Sequence, residues 1–227
     1  MRYLIRMSMS RRTRLLASSV LLAGGIGASV GAGTVQAAVC GAPTPAGTAC
    51  TMPSTLTLIS GSMTLTSPSG LEWSGTVNGL DQNLVDRSPD DQSYLINDST
   101  GSAPGWHVVV SATTFTTGTI SLANTGTFST NGSVTSMTST LAPSATCAGG
   151  SSCILPANQT TYPVAVTTAT SPTFVDTFNS DVNAGLGSIV IGGATAAHPV
   201  GWWLNVPSSA LSGTYTSTIT LEIIAGP

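Results

Sequence analysis

Apolar residues recur along this chain at every second position. Residues 55–58 read Thr-Leu-Thr-Leu, residues 63–66 read Met-Thr-Leu-Thr, and the run from Trp106 to Phe115 places Trp106, Val108, Val110 and Ala112 on one face. Its other face mixes His107, Ser111 and Thr113. The final run is the clearest, with Tyr215, Ser217, Ile219, Leu221 and Ile223 alternating against Thr214, Thr216, Thr218, Thr220 and Glu222. A period of two is that of a pleated strand, whose successive side chains point to opposite faces. No window sustains the 3.6-residue period of an amphipathic helix.

Threonine explains how such strands face water with so little charge: its branched Cβ suits the pleat while its hydroxyl stays solvated. Turn signals separate the runs, at Pro68-Ser69-Gly70, Asn78-Gly79, Asn131-Gly132 and Gly149-Gly150. Short alternating strands with this punctuation predict an all-β fold, an antiparallel β-sandwich with Greek-key-like connections. Trp73, Trp106 and Trp202 are then core residues first of all. The segments opened by Gly105-Trp106 and Gly201-Trp202 look alike, but nothing around them repeats, so two strands built by the same local rules account for the likeness.

The first 37 residues form a different region. Arg2, Arg6, Arg11, Arg12 and Arg14 precede an apolar, small-residue stretch, and Val35-Gln36-Ala37 supplies a small-x-small cleavage pattern, so residues 1–37 are expected to be a secretory signal peptide. Residues 38–53 then form an N-terminal cysteine-bracketed segment and residues 54–227 one sandwich domain. The protein is expected outside the cell, with no membrane insertion after cleavage, because no later stretch is long and apolar enough to span a bilayer. Residues 223–227 carry no sorting motif or hydrophobic anchor.

Removing the leader changes the charge, since beyond residue 37 Arg87 stands alone against nine carboxylates, a net charge of −8, and the whole sequence has no lysine. A domain with one cation cannot neutralise a row of phosphates, which excludes nucleic acid as a partner. Lysine chemistry, whether a Schiff base, a general base or an isopeptide staple, is excluded too. Four cysteines suit an oxidising compartment. Cys40 with Cys50 and Cys147 with Cys153 are the economical disulfides, although four cysteines permit three pairings. Neither His107 nor His198 stands at zinc-ligand spacing from a cysteine pair.

Candidate chemistry is sparse. Asp81, Asp86, Asp90 and Asp91 form an acidic cluster, a weak calcium candidate because hard cations take oxygen ligands, yet the spacing is not that of an EF-hand loop. A solvated loop tethered by Arg87 is the plainer reading. No Gly-x-Ser-x-Gly elbow accompanies the two histidines, and Glu72 and Glu222 are the only glutamates. The chain is therefore read as non-catalytic and free of cofactors. Trp202 and Trp203 are neighbours on a strand and must point to opposite faces, so one lies outward, as a sugar-stacking or interface residue, or under a loop such as residues 194–200.

Three segments carry a resemblance. Residues 79–82 (GLDQ), residues 96–108 (INDSTGSAPGWHV) and residues 213–223 (GTYTSTITLEI), ahead of Gly226-Pro227, follow one another as in the WxL domain of Gram-positive surface proteins, which this chain resembles. Asp98, Gly101, Gly105 and Trp106 match the first family motif, D-x-x-G-x-x-x-G-W-x-L, with Val108 in place of its leucine. The terminal motif keeps Tyr215 and lacks its tryptophan, reading Leu221-Glu222-Ile223. The resemblance implies a secreted β-rich domain held non-covalently by cell-wall peptidoglycan or by other surface proteins, and adds Trp106 and Tyr215 to Trp202 and Trp203 as binding candidates. The last strand also looks like that of fimbrial and spore-coat-type subunits, which implies, as the alternative, self-assembly by strand donation through the N-terminal segment.

Overall fold

The computed structural model describes residues 38–39, 46, 49–52, 54–122 and 128–226. The expected signal peptide and Cys40 lie outside the described residues. The chain forms two compact units, Met1–Leu56 and Thr57–Pro227. In the first, β1 (Ala38–Val39) runs parallel to β2 (Cys50–Thr51), with Ala38 opposite Cys50. Cys50 is disulfide-bonded.

The regular structure of the second unit is antiparallel strand apart from one 3-10 turn, Pro89–Asp91. Its elements are β3 (Met63–Thr66), β4 (Gln82–Val85), β5 (Ser93–Asp98), β6 (Trp106–Ala112), β7 (Thr116–Thr117), β8 (Ile120–Ser121), β9 (Phe128–Asn131), β10 (Ala145–Cys147), β11 (Val164–Val166), β12 (Val175–Ser180), β13 (Gly187–Gly192), β14 (Gly201–Val206) and β15 (Ile219–Ala225). They assemble as sheets ordered β10-β13-β5-β3, β11-β9-β14-β4 and β12-β6-β15, plus the hairpin β7-β8. Apart from that hairpin, the paired strands are not successive in the chain. The sheets pack together as an all-β, sandwich-like fold.

The strand β6 shows why the core lies where it does. Trp106, Val108, Val110 and Ala112 are fully buried, as the alternation predicts, and the indole of Trp106 lies over Phe178 of β12 with ring centroids 6.1 Å apart. Its other face is largely covered too, since Val109 and Ser111 are buried and His107 alone stays partly open. A strand paired on both sides and buried on both faces reads as a near-continuous apolar run, which Val108-Val109-Val110 is. A second aromatic group forms on the sheet of β9 and β14: Trp202 stacks on Phe128 at 5.9 Å, and Trp73 meets Phe115 and Phe128 edge-on.

Two sequence-derived strands come out differently. Residues 55–58 join no strand, because alternation defines two faces but a ladder also needs a neighbouring edge. The last strand begins at Ile219; before it, Thr216 forms only an isolated bridge with Thr116. There hydroxyls replace ladder bonds: Thr113 Oγ1 accepts from Thr218 N at 2.7 Å, and Ser217 Oγ donates to Thr113 O at 2.6 Å.

Candidate functional site

The tryptophans are the first test of a surface grip. Trp106, Trp202 and Trp203 are 0%, 1% and 5% exposed, so the three binding candidates are core residues and cannot stack on a ligand. Each indole N–H is also committed to a backbone carbonyl: Trp106 to Gly185 at 2.9 Å, Trp202 to Asp91 at 2.8 Å and Trp203 to Ser133 at 2.8 Å. Trp203 does face away from Trp202 but lies under a loop, and that loop follows Asn131 instead of spanning residues 194–200. Gly201 makes the cover possible, because a Cβ there would stand 1.8 Å from Ser133 O. Of the four candidates only Tyr215 keeps partial exposure, and its hydroxyl donates to Leu211 O at 3.1 Å.

The residues resembling the WxL motif form a turn. Asp98 Oδ1 accepts from Thr100 N and Thr100 Oγ1, at 3.0 and 2.7 Å, and closes an Asx turn. Gly105, at φ 78°, then leads into Trp106 where a Cβ would come 2.6 Å from Ser180 O. The spacing from Asp98 to Trp106 thus delivers an indole into the core. Asp98 is 1% exposed and its Oδ2 has no hydrogen-bond partner among the described residues. A shallow groove of about 380 Å³ beside it is lined by Ser99, Gly101, Cys153, Ile154 and Leu186. Cys153 reaches this groove through its disulfide with Cys147, across a Cα separation of 5.5 Å.

The acidic candidates do not converge. Asp86 is 2% exposed, and its two carboxylate oxygens accept from Glu72 N and Ser88 N at 2.8 Å each. Asp81 Oδ1 accepts from Ser208 N at 2.7 Å. No group of three or more His, Cys, Asp and Glu side chains able to hold a metal occurs among the described residues, Asp81, Asp86, Asp90 and Asp91 included. Asp81 and Asp86 act as backbone acceptors, which the spacing alone could not reveal. Burial raises the pKa of Asp91, with Asp86, Asp90 and Glu72 adding to the shift against a lowering hydrogen bond from Ser88.

His107 faces Asp176 across β6 and β12, with Nδ1 and Oδ2 3.3 Å apart but not aligned as a hydrogen bond. His198 donates its backbone N–H to Ser144 Oγ at 3.1 Å.

Strand edges remain as interaction surfaces. The outer edge of β12 is guarded: Tyr162 Oη donates to Thr177 O at 2.6 Å, Asn158 Oδ1 accepts from Asn179 N at 3.1 Å, and Asn179 Oδ1 accepts from Gln159 N at 2.7 Å. A bulge between Asp176 and Phe178 breaks the register there. Burial pushes the Tyr162 phenol well above its ordinary range, against lowering hydrogen bonds from Asn158 and Thr160. Among the described residues β15 pairs with β6 alone, and no comparable side-chain bonds reach its outer edge. Sequence reasoning missed both this guard and Asn131, which is fully buried, donates to Ser136 O and Met137 O and accepts from Ser133 N. Only the Asn131-Gly132 pair gave a signal, and it reads as an ordinary turn. Comparisons with protein-family models, curated proteins and solved structures found no match to this chain.

Proposed function

We propose that this chain is a secreted, non-catalytic surface protein of WxL-like type, held outside the cell by contacts with partner proteins or with the peptidoglycan of a Gram-positive wall. The observation that carries the reading concerns the aromatic residues: with three of the four candidates enclosed, attachment has to use backbone edges and exposed apolar side chains, which favours protein partners over sugar stacking. The basic leader, the cysteines and the WxL-like segments support secretion to a surface. The dispersed histidines and carboxylates support a binding role over catalysis.

Pelleting assays with isolated cell walls test this. Mature protein is expected to sediment with whole envelopes and much less with walls stripped of protein. Equal sedimentation with stripped walls assigns the contact to peptidoglycan instead. Protein left in the supernatant in both cases rejects the surface role.

A further inference from the structure

Asp98 closes β5 with only half of its carboxylate committed. Its Oδ1 holds Thr100 N and Thr100 Oγ1, at 3.0 and 2.7 Å, while Oδ2 is buried and accepts from no described residue. The hydroxyls of the same turn are engaged elsewhere: Ser99 Oγ donates to Ser62 O at 2.6 Å, and Ser102 Oγ lies on Thr100 Oγ1 at 3.2 Å. A carboxylate oxygen left bare on a side chain that is 1% exposed is costly until a donor reaches it.

The same carboxylate residue lines the groove of about 380 Å³, together with Gly101, Ile154, Leu186 and Gly187. Gly187 stands directly opposite Asp98 on β13. Without a side chain it leaves the space over that pair to the disulfide loop, since a Cβ there would come 3.2 Å from Cys153 Cβ. The wall of the groove at residues 152–153 is loop, held by the Cys147–Cys153 bond and by Ile154 N, which donates to Leu186 O at 2.8 Å. The side chain of Ile154, half exposed, forms an apolar rim.

Charge identifies the missing donor. The sequence has no lysine, neither Arg87 nor a histidine lines the groove, and the region beyond residue 37 carries a net charge of −8. A cation for Oδ2 therefore comes from outside the chain. Because Oδ1 already holds two donors, a single oxygen is open, which suits the point charge of an ammonium and not the two-pronged fork of a guanidinium.

We propose that this groove seats a lysine side chain of a partner protein. The methylene stem lies along Ile154 and Leu186, and the ammonium parts the loop wall at residues 152–153 to donate to Asp98 Oδ2. That oxygen is already out of water, so only the incoming ammonium has to be desolvated. A second copy of this sequence offers no lysine and is not the occupant. The assignment rests on the reading of the chain as a surface protein held by protein partners, and it names the chemistry of one such contact.

The probes are capped pentapeptides with lysine, arginine or Nε-acetyl-lysine between two leucines, titrated into the isotope-labelled full chain while NMR follows the amides of Ser99, Gly101, Ile154 and Gly187. The lysine peptide is expected to give saturable shifts confined to these amides, and the other two to bind about tenfold more weakly or less. Asp98→Asn keeps an acceptor for Thr100 but puts an amide donor in place of Oδ2, and should weaken the lysine peptide by about tenfold or more. Ile154→Lys, at an exposed wall position, supplies a competing ammonium and should weaken it too, whether or not Asp98→Asn folds. Absence of shifts with the lysine peptide overturns the inference, as when an ordered water holds Oδ2. Equal binding of the acetylated peptide, or binding unchanged by Ile154→Lys, overturns it as well. A peptidoglycan stem peptide with a free amine that saturates the same amides while the lysine peptide does not gives the groove to the wall and overturns the protein partner. Envelope pelleting separates the two readings: a chain that sediments but ignores the lysine peptide keeps the surface role and loses this site, and a chain that binds the peptide but stays in the supernatant does the reverse.

Discussion

The sheet built on β6 ends in two edge strands that are finished in opposite ways. Along β12 the bulge and the side chains of Asn158 and Tyr162 occupy backbone groups that a new strand would need, while Gln159 N donates to the Asn179 side chain. Along β15 seven residues in regular register leave every second backbone pair without a partner strand among the described residues. A strand edge is a template for another chain unless something blocks it. The contrast teaches that edge protection here is local, spent on one side of one sheet.

Removing the guard should have the largest effect. Asn158→Ala takes the acceptor from Asn179 N and Thr160 N and the donor from Tyr162 Oη, and stranding such groups costs about 2–3 kcal/mol in urea unfolding. Tyr162→Phe removes the bond to Thr177 O and the one accepted from Asn158 Nδ2, and costs about 1 kcal/mol. An equal loss from Thr220→Ala on β15 would break the comparison, because that exposed side chain supports no guard.

Alkali should open the same side. Burial raises the phenols of Tyr94 and Tyr162, so the folded state holds its protons where the unfolded chain releases them. Their contribution is complete below the ordinary phenol value of about 10 and is lost as pH climbs past it toward the folded values. Stability measured by chemical denaturation is expected to fall above that pH, and Tyr162→Phe should flatten part of the slope. A slope identical to that of the parent chain would separate the guard from the alkaline transition.

Smaller effects sharpen the contrast. Thr220→Lys places a charge on the exposed face of β15 and should change folding stability by less than about 0.5 kcal/mol. Asp176→Asn removes the carboxylate beside His107, a half-exposed pair, and should shift the denaturation midpoint by no more than about 0.5 kcal/mol allows. A larger loss would show that this pair belongs to the guard of β12.

Much of the fold was legible because burial follows alternation. The face of Trp106, Val108, Val110 and Ala112 is buried as the pattern requires, and Met63–Thr66 is a strand. Residues 55–58 carry the same pattern without a ladder, since a period of two describes the side chains of one segment and says nothing of its neighbour. The site was less legible. That Trp202 and Trp203 oppose each other followed from strand geometry, yet that Trp203 is covered as well depended on Ser133, about seventy residues away. The acidic loop looked like a cation site because sequence gives carboxylate spacing and not the backbone N–H groups of Glu72, Ser88 and Ser208 that fill those carboxylates.

Local chemistry in the sequence was enough for an all-β chain and its apolar faces, and it made the pairing of Cys147 with Cys153 the economical one among three. Each of these depends on residues close together in the chain, where stereochemistry and spacing act directly. Only the tertiary structure decided that the tryptophans are enclosed, that β12 is guarded and that β15 is open. Those outcomes depend on which distant segments meet, and strands of similar alternating composition can pair in many orders before packing selects one.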